Sequence, residues 1–205
     1  VNMSTEMLLR KVALDSQGLS LVGNIKNGAR HMGAMVRDLL EFVRSRLGSS
    51  LPIEPKPMNL ADAAQAAIDE ACAGRPDCQA HLHVEDDTQG QWDRGRIDQL
   101  LQNLIGNALQ HGLNSQAVTL NLKGTPDTVE LSVHNYGIPI PQAALGTVFD
   151  PLVRSATEEL GNTSTSLGLG LFIVKEVVLA HQGTIEVTSS EAEGTTFTVV
   201  LPRRC

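Results

Sequence analysis

A chain of 205 residues, 41% hydrophobic and 19% charged, is long enough for one substantial core and one further element. Its formal net charge of −7 excludes the basic face that counterion-releasing nucleic-acid binding needs, and it disfavours an anionic membrane surface. Aromatic residues make up only 3%, so the core is aliphatic; no apolar run reaches transmembrane length, and no leader of signal-peptide form is visible. The three cysteines, Cys72, Cys78 and Cys205, are odd in number and lack metal-ligand spacing. They are expected to be reduced thiols in a cytoplasmic setting. The chain begins at Val1 and is expected to be a piece of a larger protein.

In chain order, residues 5–13 read as the end of one helix, and "LDSQG", 14–18, as a turn in which Asp15 or Ser16 caps the next. From 17 to 47, Val22, Ile25, Ala29, Met32, Val36, Leu39 and Val43 step by alternating threes and fours. That is a heptad seam, widened by Met35 and Leu40. So wide a stripe predicts a helical bundle; the alternative is a long helix lying on its own domain. "LGSSLPIEPKP", 47–57, reads as a Gly/Ser/Pro linker, which divides the chain into helices at 1–48, a linker at 49–56 and a second domain at 57–205.

Beyond the linker the period changes. A helix is expected at 60–73, capped by Asn59, then a strand at 79–85 with Ala80, Leu82 and Val84 facing opposite to His81, His83 and Glu85. A helix at 94–111 precedes strands at 117–122 and 128–134, joined by "GTPD". The polar stretch 154–166 has few apolar anchors, the composition of a lid. A helix at 168–182 and strands at 183–188 and 195–201 complete the chain. The fold class is α+β, a mixed or antiparallel sheet with helices on one face.

Three strings could carry chemistry. Helix 94–111 contains "NLIGNALQH", with Asn103, Asn107 and Gln110 on one face and Leu100, Leu101, Leu104, Ile105 and Ala108 on the buried side. Asparagine is a poor helix-interior residue because its amide competes for backbone hydrogen bonds. Two of them one turn apart are either exposed amides and a cap to a nearby loop, or a ligand-facing stripe whose oxygens suit a hard cation such as Mg²⁺. "VHNYGIPIP", 133–141, ends a strand in a Gly/Pro loop, with the amide of Asn135 at the strand tip. "SLGLGLFIVKEV", from Ser166, puts Gly168 and Gly170 at a helix start. That is either a plain turn or a place where backbone N–H groups meet an anion.

In this order the strings resemble the catalytic core of sensor histidine kinases, whose ATPase domain belongs to a superfamily shared with DNA gyrase, the Hsp90 chaperone and mismatch-repair ATPases. "DQLLQNLIGNALQHG" is similar to the family's N box, "VHNYGIPIP" to its G1 box, "VFDPLVRS" to its F box, "SLGLGLFIVKEVVLAHQGTIEV" to its G2 box and "GTTFTVVLP" to its closing strand. The resemblance covers about residues 56–202, and the helices at 5–47 resemble the dimerisation and phosphotransfer hairpin. It implies an antiparallel helical hairpin forming a dimeric four-helix bundle, followed by an α/β-sandwich domain that binds ATP and Mg²⁺.

Position by position, the resemblance implies that Asn107 coordinates Mg²⁺ with Asn103 near the phosphates, and that Gln110 and His111 stand where a basic or polar phosphate neighbour is usual. Asn135 stands where an aspartate usually accepts from the adenine amino group. Gly137 lets the backbone pass the base, with Pro139 and Ile140 in the same loop. Phe149 and Arg154 border the lid. Ser166, Leu167, Gly168, Leu169, Gly170 and Leu171 lie under the triphosphate, and Thr195 belongs to the closing strand. Three positions depart from the pattern: Asn135, Pro139 in place of the second G1 glycine, and Ser166 in place of the first G2 glycine. An asparagine oxygen still accepts a hydrogen bond but lacks charge assistance worth about 1 kcal/mol.

None of the six histidines matches the family's phospho-acceptor, which an acidic residue follows on the first hairpin helix. His31 lies in "ARHMGAM" on the second helix, His81 and His83 on a strand's outer face, His111 in the N-box string, His134 in the G1 string, and His181 at a helix end. The acceptor is expected upstream of Val1. The implied function is a protein-histidine kinase that autophosphorylates as a homodimer and passes the phosphoryl group to a response-regulator receiver domain, with a sensor domain upstream and no nucleic-acid partner. The alternative is a degenerate kinase acting as a dimeric binding module. A gyrase- or chaperone-type ATPase needs a glutamate just before the N-box asparagine; the neighbours of Asn103 are amides and aliphatics.

Overall fold

The computed structural model describes residues 16–48, 51–75, 77–113, 115–153 and 168–204. The helix expected at 5–13, Asp15 and the polar stretch 154–166 lie outside the described residues, as do Arg154, Ser166, Leu167 and Cys205. The described elements are α1 (Ser16–Arg46), β1 (Lys56–Asn59), α2 (Leu60–Cys72), β2 (Ala80–Glu85), β3 (Gln89–Trp92), α3 (Arg94–His111), β4 (Val118–Gly124), β5 (Thr128–Asn135), α4 (Gly170–Ala180), β6 (Thr184–Ser190) and β7 (Gly194–Pro202).

Five strands form a sheet in the order β2-β4-β5-β7-β6, with β2 parallel to β4 and every other pair antiparallel. Period-two alternation decides its faces. Leu120, Leu122, Val129, Leu131, Val133, Phe197, Val199 and Leu201 are buried on one side, whereas Asn121, Lys123 and Glu130 are exposed on the other. The buried side carries α2, α3 and α4, so the sheet is mixed with its helices on one face. Each helix turns its apolar stripe inward: Leu60, Ala63, Ala64, Ala67 and Ile68 from α2, Ile97 to Ala108 from α3, and Phe172 to Val178 from α4.

Two short strands were not legible in the sequence. β1 and β3 pair antiparallel, Lys56 with Trp92 and Asn59 with Gln89. Neither alternates, and Pro57 argues against a strand. What holds them is long-range. Trp92 is fully buried and its Nε1–H donates to Pro202 O at 2.7 Å. Asn59 links the pair to α2: its side chain accepts from Ala61 N at 3.0 Å and from Thr88 Oγ1 at 2.6 Å.

The cysteines correct the expectation of reduced thiols. Gly74, at φ +76°, reverses the chain after α2, and Cys72 and Cys78 form a disulfide with their Cα atoms 5.3 Å apart. Their spacing does not distinguish a reduced pair from a bonded one; only the turn between them does.

α1 lies against the helical layer through polar and aromatic contacts. Arg96 of α3 pairs with Glu41, and Gln99 Nε2 donates to Glu41 Oε2 at 3.0 Å. Phe42 meets Phe172 edge-on, with centroids 5.8 Å apart. Burial pushes the nearby Asp38 carboxyl above the usual carboxylate range. Most of the heptad seam stays outside this contact: Met32 is 60% and Val36 57% exposed, whereas Val22 near the start of α1 is buried.

His181 closes α4 and is fully buried. Asp93 N donates to its Nε2 at 3.0 Å, so the proton resides on Nδ1, which donates to Val177 O at 2.8 Å. Burial pulls its pKa below 6.5. A folded pKa below the unfolded value means that this contribution to stability is present above 6.5 and is lost as pH falls below it. Thermal unfolding should show the wild-type melting temperature falling between about pH 7.5 and 5.5. His181→Gln, which keeps an acceptor but cannot titrate, should be less stable at the upper pH and lose much of that dependence.

Candidate functional site

The loop after β5 is seated directly on the end of α3. Gly137 and Gly112 form an isolated antiparallel bridge, and Leu113 N donates to Tyr136 O at 2.7 Å. A Cβ on Gly137 would overlap the carbonyl oxygen of His111, so the residue is glycine because the backbones touch. Farther along the loop, Ile140 N donates to Ser189 Oγ at 2.9 Å, and that hydroxyl meets Thr195 Oγ1 at 2.7 Å. Asn135 pairs with Thr195 and Thr195 with Ser189, so the three stand in one row across β5, β7 and β6 on the helix side of the sheet. Asn135 is 4% exposed.

α3 supplies the second wall. Its polar row runs Asn103, Asn107, Gln110 and His111, with both asparagines half-buried and the last two residues exposed. Asn103 adjoins α4, where a Cβ on Gly170 would sit 3.4 Å from Asn103 Oδ1. The cap residue of α4, Leu169, contributes no side-chain hydrogen bond. Asn103 Nδ2 is buried and has no partner among the described residues. An unpartnered amide donor beside an uncapped helix N-terminus is an arrangement that accommodates an anionic oxygen. Asn107 lies one turn on from Asn103 and one turn before His111, between α4's start and the glycine loop.

The segment 154–167, whose structure lies outside the described residues, has its two flanks joined: Leu152 N donates to Gly168 O at 3.0 Å. Phe149 packs edge-on against Phe197, centroids 6.1 Å apart, and borders the core. Leu169 is buried, Leu171 partly buried against the core, and Pro139 half-buried in the loop. Of the expected residues, Asn135, Gly137, Ile140 and Thr195 meet where β5 ends on the last turn of α3, Asn103 and Gly170 meet farther back along α3, and Arg154, Ser166 and Leu167 are not described. Sequence reasoning missed Ser189 and Gly112. Ser189 carries one weak signal, a hydroxyl at an inward position of an alternating strand; Gly112 carries none, because its partner is 25 residues away in the chain.

Among the described residues no group of three or more His, Cys, Asp or Glu is placed to hold a metal ion, and no helix is long and apolar enough to cross a membrane. A family model described as "Histidine kinase-, DNA gyrase B-, and HSP90-like ATPase" matches residues 92–204, more than half of the chain. The chain belongs to this ATPase family. Within it, the similarity is to sensor histidine kinases. Sensor histidine kinase CusS of Escherichia coli O157:H7 is 34% identical over 187 residues, covering 90% of this chain and 38% of that protein. Probable sensor histidine kinase TcrY of Mycobacterium tuberculosis is 32% identical over 197 residues, covering 95% and 41%. The chain therefore spans about two-fifths of the length of these relatives. Among solved structures, a mycobacterial sensor histidine kinase, MprB, aligns with a TM-score of 0.64 at 25% identity, covering 74% of this chain and 99% of that one. Full-length ShkA in complex with AMPPNP aligns with a TM-score of 0.70 at 24% identity over 95% of this chain and 41% of that one, a likeness of fold.

The contact between loop and helix makes this histidine-kinase-type domain sensitive to one added methyl group. Gly137→Ala should cost about 1–3 kcal/mol through forced backbone movement. Ser189→Ala should cost about 1 kcal/mol for its lost hydrogen bonds. Urea unfolding midpoints at unchanged slope measure both.

Proposed function

We propose that this chain is the kinase core of a two-component sensor, with the helices before residue 49 serving dimerisation and phosphotransfer and residues 57–205 binding ATP. The observation that carries the reading is the unpartnered Asn103 Nδ2 beside Gly170 at the start of α4. This donor and the first N–H groups of α4 fit phosphate oxygens, and Asn107, on the same row, offers an amide oxygen to Mg²⁺. Asn107 would be this chain's oxygen donor to Mg²⁺, a hard cation that commonly keeps water and phosphate oxygens in its shell. Mg²⁺, when bound, supplies neutralisation of phosphate charge.

The chain's own contribution is positioning. Asn135, buried on the inner row, presents its amide oxygen to the adenine amino group, and the glycine loop lets the base lie against backbone. Gln110 and His111 flank the phosphates at the end of α3. The departures from the family pattern at Asn135 and Pro139 leave an acceptor and a seated loop in place. The γ-phosphoryl group goes to a histidine on the helical hairpin and then to an aspartate of a response-regulator receiver domain, with catalysis resting on alignment and charge stabilisation. Exposure of the α1 seam supports a homodimer through a four-helix bundle. The portion described here works on the cytoplasmic side.

Calorimetric titration with ADP and a non-hydrolysable ATP analogue, with and without Mg²⁺, tests the reading. The wild type should bind in a Mg²⁺-sensitive way. Asn107→Ala should weaken binding about tenfold or more and remove that sensitivity. Asn135→Asp should tighten it up to about tenfold through charge assistance. No binding in any of the three overturns the nucleotide site. A monomer at tens of micromolar by light scattering overturns the dimer.

A further inference from the structure

The disulfide between Cys72 and Cys78 stands at the same end of the sheet as the glycine loop. Cys72 ends α2, and Cys78 precedes the edge strand β2 by two residues. Arg75 N donates to Cys72 O at 3.0 Å and Cys78 N to Arg75 O at 3.1 Å, so the turn is closed by two hydrogen bonds and one covalent bond. The next residue, Gln79, accepts from Val118 N at 2.9 Å. Val118 opens β4 and follows the short segment that leaves α3. At the start of that segment Gly112 N returns to Ala108 O at 2.8 Å, and Leu113 N reaches Tyr136 O at 2.7 Å. Tyr136 lies between Asn135 and Gly137. A second path runs through the helices: Glu70, in the last turn of α2, accepts from Gln102 Nε2 at 3.0 Å, and Gln102 adjoins Asn103.

Both cysteines are half-buried, and Ala73, Gly74, Arg75, Asp77 and Gln79 around them are exposed, so the turn is open to small thiols. We propose that Cys72 and Cys78 are a redox-responsive clasp that orders the α3–β4 connection and the glycine loop, and thereby sets nucleotide affinity; this last link rests on the function proposed above. Closure takes a small-molecule disulfide, RSSR, as oxidant. One cysteine thiolate attacks RSSR and expels RS⁻, leaving a mixed disulfide. The other thiolate then attacks the protein sulfur of that bond, forms Cys72–Cys78 and expels the second RS⁻. The two thiol protons end on the two RSH products, two cysteines are oxidised and one RSSR is reduced. Opening is the reverse exchange with 2 RSH, which reaches the half-buried disulfide through the exposed turn around it.

Amide hydrogen exchange without nucleotide tests the clasp directly. The chain is compared after oxidised glutathione, after a phosphine reductant, and as the Cys72→Ser/Cys78→Ser double variant. Reduction and the double substitution should each speed exchange at Leu113 and Val118 by about tenfold or more, leaving β5, β7 and α4 protected. Equal exchange in the two redox states overturns the proposal, as does persistence of free thiols at both positions after oxidised glutathione. ADP titration in the same states should show affinity about three- to tenfold lower after reduction and no response to reductant in the double variant. Unchanged wild-type affinity, or a response that survives in the double variant, overturns the link to nucleotide. Redox-dependent exchange with no ADP binding in any state removes the proposed function and leaves the clasp standing.

Discussion

The carbonyl of His111 lies where a side chain on residue 137 would have to be, and much of the architecture follows from that one approach of two backbones. It ties the last turn of α3 to the tip of β5. The end of the helical layer and the end of the sheet are thereby brought into register, with Leu113 bonded to Tyr136 on one side of the bridge and Ile140 bonded to Ser189 on the other. The polar row of α3 is thus held at a set distance from the inner row Asn135–Thr195–Ser189. A loop that ended β5 without this seat would place neither row relative to the other.

α3 serves two purposes with opposite chemical needs, and its period lets both coexist. Ile97, Leu100, Leu101, Leu104, Ile105 and Ala108 are buried against the sheet and the flanking helices. Asn103 and Asn107 occupy the flank where α3 meets the start of α4. Burial of an amide donor without a partner costs free energy in isolation. That cost is borne at Asn103 alone among the described residues, at the point where a helix N-terminus also lacks a side-chain cap. Polar dissatisfaction concentrated at one place in an otherwise satisfied aliphatic core singles out the candidate site. The family match over residues 92–204 encloses it.

α1 shows how one helix can be partly docked and partly open. Glu41 and Phe42 bind it to Arg96, Gln99 and Phe172, whereas Met32, Val36 and Leu39 remain exposed on its seam. The contact with the domain is made of polar and aromatic groups off the heptad positions, so the seam from Met32 to Val43 is left exposed. Of the two readings open from the sequence, a bundle helix or a helix lying on its own domain, the contacts of α1 with α3 and α4 fit the second, and Met32, Val36 and Leu39 are the exposed residues that the first would cover.

What local pattern encodes, the sequence by itself determined. Heptad spacing marked α1, alternation marked β2 and β5, the Asn59 cap began α2, and apolar periodicity marked α3, because each depends on neighbours within one or two turns or one strand length. The ordered strings around Asn107, Asn135 and Gly170 also marked the segments that form the candidate site. Only the tertiary structure decided the rest. β1 and β3 exist because Trp92 finds Pro202, 110 residues away, and not through any alternation of their own. Cys72 and Cys78 are bonded because a turn folds one toward the other. Ser189 belongs to the site because β6 and β7 bring it beside Thr195 and the loop. Asn103 stands out only in three dimensions, where Gly170 lies beside its Oδ1 and its buried Nδ2 has no partner among the described residues. These are contacts between segments distant along the chain, and a one-dimensional pattern carries no record of which distant segments will meet.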